Sequence, residues 1–550
     1  MSQLIYRKLR GPAYIILIVI VLRIFYYLLS SGETVQVVPD KASMTQKQLV
    51  FTKRRPVFTE KQPVFTRKQP DFTKKQPVFT QKQPVFTQKH LKHRLKNNQF
   101  LPQVHLARST SPKKSPATST ANQNYTGLYK PVWSSLDSRP LPQWFDNAKF
   151  GIFIHWGVYS VPSFYNEWFW WYWKGPEPKS SIKEFMKKNY PSVTSYTEFE
   201  INFTASNFKP DDWAELFHES GAKYVVFTTK HHEGFANWPS KVGGHRNSQQ
   251  RGPHQDLVAA LSTAVRNKNL AFGVYYSLYE WFSREYNADK SNHFESNKFV
   301  KNKVSPQLHE LIETYKPDIL FSDGDFGPTS YWNTTNFLAW LYNDSPVKNR
   351  IVTNDRWGTE VQNLHGDYFS PFHEPVETPQ HKWEMCVTLD KQSWGYRRGM
   401  KDADVLTTQE VLEGMIRAIS KGGNYMLNIG PTAEGMIPTI FRQRLASIGK
   451  WLKINGEGIY ETHPWKVQNE SNNVWYTMKK RNIYAFVLRQ PEQNSLLLSF
   501  PKPLEAAKIV LLETNTTLKW TDHSEASYGC VVLLPKEINV PFTLRLENFN

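Results

Sequence analysis

From about residue 144 the chain alternates between short apolar runs and longer segments whose apolar positions recur every three or four residues. Residues 149–156, 223–232, 270–276, 318–326, 350–356 and 425–430 are apolar runs of strand length. Helical spacing occupies 211–221, 256–266, a stretch ending near 315, and 408–421. A further helix over 437–454 places Ile440, Leu445, Ile448 and Leu452 on one face. Strand and helix in regular alternation predict parallel βαβ units. Polar or aromatic residues end the runs (His155, His231, His232, Tyr275, Asp323, Arg356), which suits a (β/α)8-like barrel with its site at one face. A doubly wound sheet is the alternative, but no Gly-rich phosphate loop follows the first strand. Past about 464, short alternating runs such as 482–488 and 530–534 predict a C-terminal β-sandwich.

The run 318–326, DILFSDGDF, stops abruptly in an acidic turn. Asp323 is there either as a catalytic carboxylate at a strand end or as the head of an Asx-turn closed by Gly324.

Upstream, the pattern has neither period. Residues 12–29 form an apolar run of spanning length preceded by Arg7, Lys8 and Arg10, and no small-residue cleavage pattern follows. A signal anchor is expected over 12–30, with 1–11 as a cytosolic tail; Arg23 inside the run is a cost that snorkelling lowers. Residues 47–88 repeat every seven residues, in units such as KQPVFTQ. Pro56, Pro63, Pro70, Pro77 and Pro84 recur at one position and forbid a continuous helix. Residues 31–124 therefore read as a disordered stem with no core of its own. The body is expected as a barrel over 125–463 and a β-sandwich over 464–550.

Charge sharpens this division. The net charge of +19 suggests nucleic acid, but 22 Lys and Arg against 4 Asp and Glu fall in residues 1–124, leaving the remainder near neutral. No nucleic-acid partner is expected. Cys386 and Cys530 are the sole cysteines, too few for a disulfide framework. Sequons at Asn124, Asn202, Asn333, Asn343, Asn469 and Asn515 predict glycosylation in the secretory pathway.

Acidic and aromatic residues at strand ends point to glycoside chemistry, in which two carboxyl groups work across an oxocarbenium-like transition state. The motifs WFDNAKFGIFIHWG (144–157), KHHEGF (230–235), FSDG (321–324), NDRW (354–357) and HKWEMC (381–386) resemble the α-L-fucosidases of glycoside hydrolase family 29. The resemblance runs from about 128 to the C-terminus and implies the barrel and sandwich already expected. It implies Asp323 as the nucleophile of a retaining double displacement. It also implies sugar contacts at His155, Glu167, Trp168, His231, His232, Tyr275 and Arg356, with Trp394 as an aromatic wall and Phe321 against the methyl face of fucose. For the acid/base, Glu384, in the signature that also holds Cys386, ranks ahead of Glu374.

Neither a cofactor nor a metal is expected, because adjacent residues such as His231 and His232 point to opposite faces of a strand. The reading is a single-pass type II membrane protein, lumenal and most naturally of the Golgi, or secreted after cleavage in the stem. It acts on fucosylated glycans, with homo-oligomerisation left open. The alternative from another class is a fucose-binding, lectin-like protein with an impaired general acid.

Overall fold

The structure is a computed structural model, and it describes residues 128–550 apart from 472 and 524–528. The expected cytosolic tail, anchor, repeat stem and Asn124 sequon lie outside the described residues. Among the described residues no helix is long and apolar enough to cross a membrane.

Seven parallel strands carry the catalytic body: β1 (Phe150–Ile154), β2 (Tyr224–Lys230), β3 (Ala271–Ser277), β4 (Ile319–Asp323), β5 (Val352–Thr353), β6 (Glu384–Thr388) and β7 (Asn424–Ile429). They stand in the order β5-β4-β3-β2-β1-β7-β6. β1, β2 and β7 are buried along their whole length, as strands covered on both faces must be. The run expected over 350–356 yields only the two residues of β5, because Asn354 and Asp355 leave the ladder to bond side chains and loops. Among the described residues, no regular strand takes the eighth position. Instead, the segment 367–369 spans the gap between the two sheet edges. The amides of Asp367 and Tyr368 donate to the Thr353 carbonyl at 3.1 and 3.3 Å. On the other side the Phe369 amide donates to the Lys382 carbonyl and the Glu384 amide to the Phe369 carbonyl, both at 2.8 Å.

The helices between strands start where the sequence supplies caps. Pro210–Glu219 opens with its proline, and Asp211 and Asp212 face the positive end of the helix. Asp256 accepts from the Ala259 amide ahead of Leu257–Asn267. Thr407 and Glu410 form a capping box before Thr408–Ser420. Inside the ring, Phe145 packs on Tyr224 and Tyr368 with centroids 5.7 and 4.6 Å apart, and burying such a ring contributes roughly 1.5–3 kcal/mol. Gly151 makes this packing feasible: a Cβ there would lie 2.1 Å from the Tyr224 ring.

The N-terminal segment docks where the strands begin. Arg139 donates to Asp367 at 2.9 Å and to the Ile351 carbonyl at 2.8 Å, and the Trp144 indole donates to the Arg350 carbonyl at 2.7 Å. Beyond the helix Thr439–Asn455, six antiparallel strands from His463–Ser471 to Phe542–Phe549 form one sheet. Ser495–Leu498, Trp520–Asp522 and Cys530–Leu533 form a second, and a shared core of Ile483, Leu498, Val532 and Leu544 joins the two. The parallel α/β body and the C-terminal β unit match the expected order of folds.

Cys386 and Cys530 are unpaired. Asn202, Asn333, Asn469 and Asn515 are exposed. The Asn343 sequon needs correction: its amide nitrogen donates to the Tyr129 and Ala339 carbonyls, both at 2.7 Å, and a glycan on that nitrogen would leave it a single N–H for the two.

Candidate active site

β4 ends in Asp323, and the chain turns at once through Gly324, whose φ is +64°. A side chain at 324 would meet the Tyr279 ring at 2.1 Å, so the turn is closed by glycine as well as by the carboxylate. Asp323 keeps a quarter of its side chain accessible, and Tyr275, His232 and Arg356 surround the rest. The Tyr275 hydroxyl, from β3, donates to Oδ2 at 2.7 Å. The Nε2 of His232 stands 3.5 Å from the same oxygen, and the Nη1 of Arg356 is 3.4 Å from Oδ1. Burial pushes this carboxyl up; His232, the fixed charge of Arg356, the Tyr275 hydroxyl and the Gly324 amide more than offset it. Asp323 is held well below the usual carboxylate range.

Arg356 is itself anchored. Its Nε and Nη2 donate to the hydroxyl and carbonyl of Ser370 at 3.0 and 2.9 Å, and Asp355 accepts from the Ser370 amide and hydroxyl. His155, at the end of β1, donates from Nδ1 to the Asn428 carbonyl oxygen at 2.8 Å, which leaves Nε2 as an acceptor toward the pocket. Burial, with His231 beside it, lowers its pKa to about 3, so the ring is neutral. The Nδ1 of His232 is 2.7 Å from the Ser277 hydroxyl, and burial holds this ring too well below its ordinary value.

The opposite-face reading of the two histidines is corrected here. β2 stops at Lys230, so alternation no longer governs His231 and His232, and their rings lie together with centroids 4.1 Å apart. Buried Lys230, paired with Glu280 at 3.0 Å, fixes the point from which they project. Trp394 packs against His155 at 5.2 Å, Trp168 against His232 at 5.5 Å, and Phe321 against Tyr275 at 6.1 Å. Glu167 accepts from the Trp394 and Gly395 amides and the Ser393 hydroxyl. It therefore fixes the loop that carries the Trp394 wall. Tyr275, His232 and Arg356 contact Asp323; Trp168, His155, His231 and Phe321 pack on these residues, and Trp394 packs on His155.

The two acid/base candidates have other partners. Glu384 begins β6 and is fully buried inside the ring, where its carboxyl takes the Tyr224 hydroxyl and lies 4.0 Å from the Cys386 sulfur. Burial pushes its pKa to about 7, partly opposed by the Tyr224 hydroxyl and Lys382. A carboxyl enclosed there cannot touch a leaving oxygen at the strand ends, so its first rank as acid falls. Glu374 is tied to Lys421 at 2.9 Å and Arg417 at 3.2 Å. Asp367, its neighbour on the same loop, is buried against Arg139 and Tyr342. Among the described residues, no group of three or more His, Cys, Asp or Glu is placed to hold a metal ion.

Several supporting residues escaped the sequence reading. Asn428 was visible as the one polar residue inside the apolar run 425–430; Ser277, Ser370 and Tyr224 gave no local signal.

Residues 116–457 match the α-L-fucosidase family and residues 468–547 its C-terminal domain. The chain belongs to the α-L-fucosidase family. It is a glycoside hydrolase of family 29. The human tissue α-L-fucosidase is 51% identical over 413 residues, covering 74% of this chain and 88% of that protein. The human plasma α-L-fucosidase is 48% identical over 417 residues, covering 74% and 89%. Among solved structures, the Thermotoga maritima α-fucosidase in complex with fucose superposes with a TM-score of 0.66 at 32% identity, over 76% of this fucosidase and all of that chain.

Proposed function

We propose that this fucosidase removes α-linked fucose from glycoprotein glycans by a retaining double displacement with Asp323 as nucleophile. One observation carries the reading: Asp323 stands ionised at a strand end, accessible, and oriented by Tyr275, His232 and Arg356. Its carboxylate attacks the anomeric carbon as the bond to the leaving oxygen breaks, giving a fucosyl ester. Water then cleaves that ester, its hydroxyl joining the anomeric carbon and its proton returning to solvent. Arg356 is a permanent cation that keeps the carboxylate charged before attack. His155 accepts a sugar hydroxyl at Nε2, and Trp394 and Phe321 enclose the apolar face of the 6-deoxy sugar.

A retaining acid usually stands about 5–5.5 Å from its nucleophile. Glu384 is enclosed, and Glu374 is held by Arg417 and Lys421. Leaving groups that need little protonation are therefore the preferred substrates. The same observation favours a second reading, a fucose-binding protein with slow turnover. Aryl fucosides and fucosylated glycans separate them: fast aryl and slow glycan hydrolysis fits a weak acid, whereas fucose binding without hydrolysis of either sinks the enzyme reading.

The anchor over 12–30 supports a type II protein of the Golgi with its body in the lumen, resting on Arg7, Lys8 and Arg10 ahead of an apolar run. The natural N-terminus should stay attached and endoglycosidase should shift the mobility of the full chain. A mature N-terminus at about residue 31, just after the apolar run, would overturn the anchor.

A further inference from the structure

We infer that Phe372 is a specificity-determining residue, the platform on which the ring of the leaving group packs. This deepens the proposed hydrolysis at Asp323 and rests on it. Four aromatic side chains are exposed among the described residues: Tyr165, Phe326, Phe372 and Phe500. Three of them follow β1, β4 and β5, on the face where Asp323 lies. Scattered exposed apolar residues are ordinary, but a concentration beside a reactive carboxylate is not.

Phe372 is 53% exposed and yet fixed in place. Its ring covers the Arg356 guanidinium at 4.3 Å, while Phe321 lies on the same cation at 5.9 Å. Two residues earlier, Ser370 is clamped by Arg356 and Asp355 together. An exposed ring is thus held one guanidinium away from the carboxylate that attacks. The inner wall is already occupied by residues suited to fucose, so an outer ring at this point meets what fucose is attached to. An aromatic face binds the C–H face of a pyranose or an aryl ring and has little to offer a leaving group without one.

The test compares 4-nitrophenyl α-L-fucoside, whose leaving group is a ring, with α-L-fucosyl fluoride, whose leaving group is a single atom. In the fluoride reaction the C–F bond breaks to fluoride as the Asp323 ester forms, and water supplies the hydroxyl that replaces it. In the full chain, Phe372→Ala should lower the ratio of kcat/KM for the aryl fucoside to that for the fluoride about tenfold. The loss should appear mainly in KM. Phe372→Trp should keep the ratio, and Phe372→Leu, which retains bulk without a ring face, should lower it if the alanine variant unfolds. An unchanged ratio overturns the platform, whether both substrates fall together, as for a ring that acts only through Arg356, or neither falls. If the wild-type protein hydrolyses neither substrate, the reading at Asp323 fails and the platform fails with it.

Discussion

At the mouth of the strand ring, Asp323 is surrounded by donors and a fixed positive charge; in its interior, Glu384 has one hydroxyl donor among apolar walls. Both are carboxyls on neighbouring parts of one fold, and their proton affinities move in opposite directions. Burial raises both. What separates them is how many polar partners answer the buried charge. A signature motif therefore marks a residue that matters without saying what for: Glu384 occupies one, and its surroundings suit a protonated structural acid.

The sharpest way to break the comparison is to delete the mouth carboxylate. Asp323→Gly should lower turnover of an aryl fucoside at least about a thousandfold while fucose binding, read by calorimetry, persists. Added azide should restore turnover with a product of inverted configuration. Ordinary activity in this variant would end the assignment.

Glu384 gives the next largest effect, and in stability rather than rate. The folded protein holds a proton that the unfolded chain releases near 4.5, so this group's contribution is most favourable below that pH. It is lost as pH rises to about 7, by about 3 kcal/mol in all. Glu384→Gln mimics the protonated form and should flatten the pH dependence of urea midpoints across that window. Activity on aryl fucosides and glycans should change by the same factor. A selective loss on poor leaving groups would instead restore Glu384 as the acid.

Asn428→Ala removes the acceptor that sets the His155 tautomer and should cost about tenfold in kcat/KM, near 1.4 kcal/mol. If kcat/KM holds within error, His155 does not work through its Nε2 acceptor. Smallest of all, removing residues 1–124, whose repeats carry neither a helical nor a strand period, should leave the rate constants on a soluble substrate within about twofold. A large loss with the fold intact would show that the stem reaches the site.

The strand that delivers Asp323 was legible because an apolar run stopped at a polar turn, and both rules are local. Asn428 carried a local mark of another kind, a polar residue inside an apolar run. The pairing of His231 with His232 was not legible, because alternation ends with β2 at Lys230 and both histidines lie beyond it. Tyr224 carries no local mark either; it reaches Glu384 through the register that sets it against Gly151, a relation between strands. The loop 366–383 has no period at all, so the ties of Glu374 to Arg417 and Lys421 on a distant helix could not be read from its spacing.

Arg139 and Trp144 fasten the first described segment to the chain that leads into β5, on the side where strands begin. Asp323 opens on the side where they end. The contacts that fix the start of the described body are therefore separated from the carboxylate by the length of the strands. A substitution at Arg139 would strip Asp367 of its buried cation without reaching any of the groups that contact Asp323.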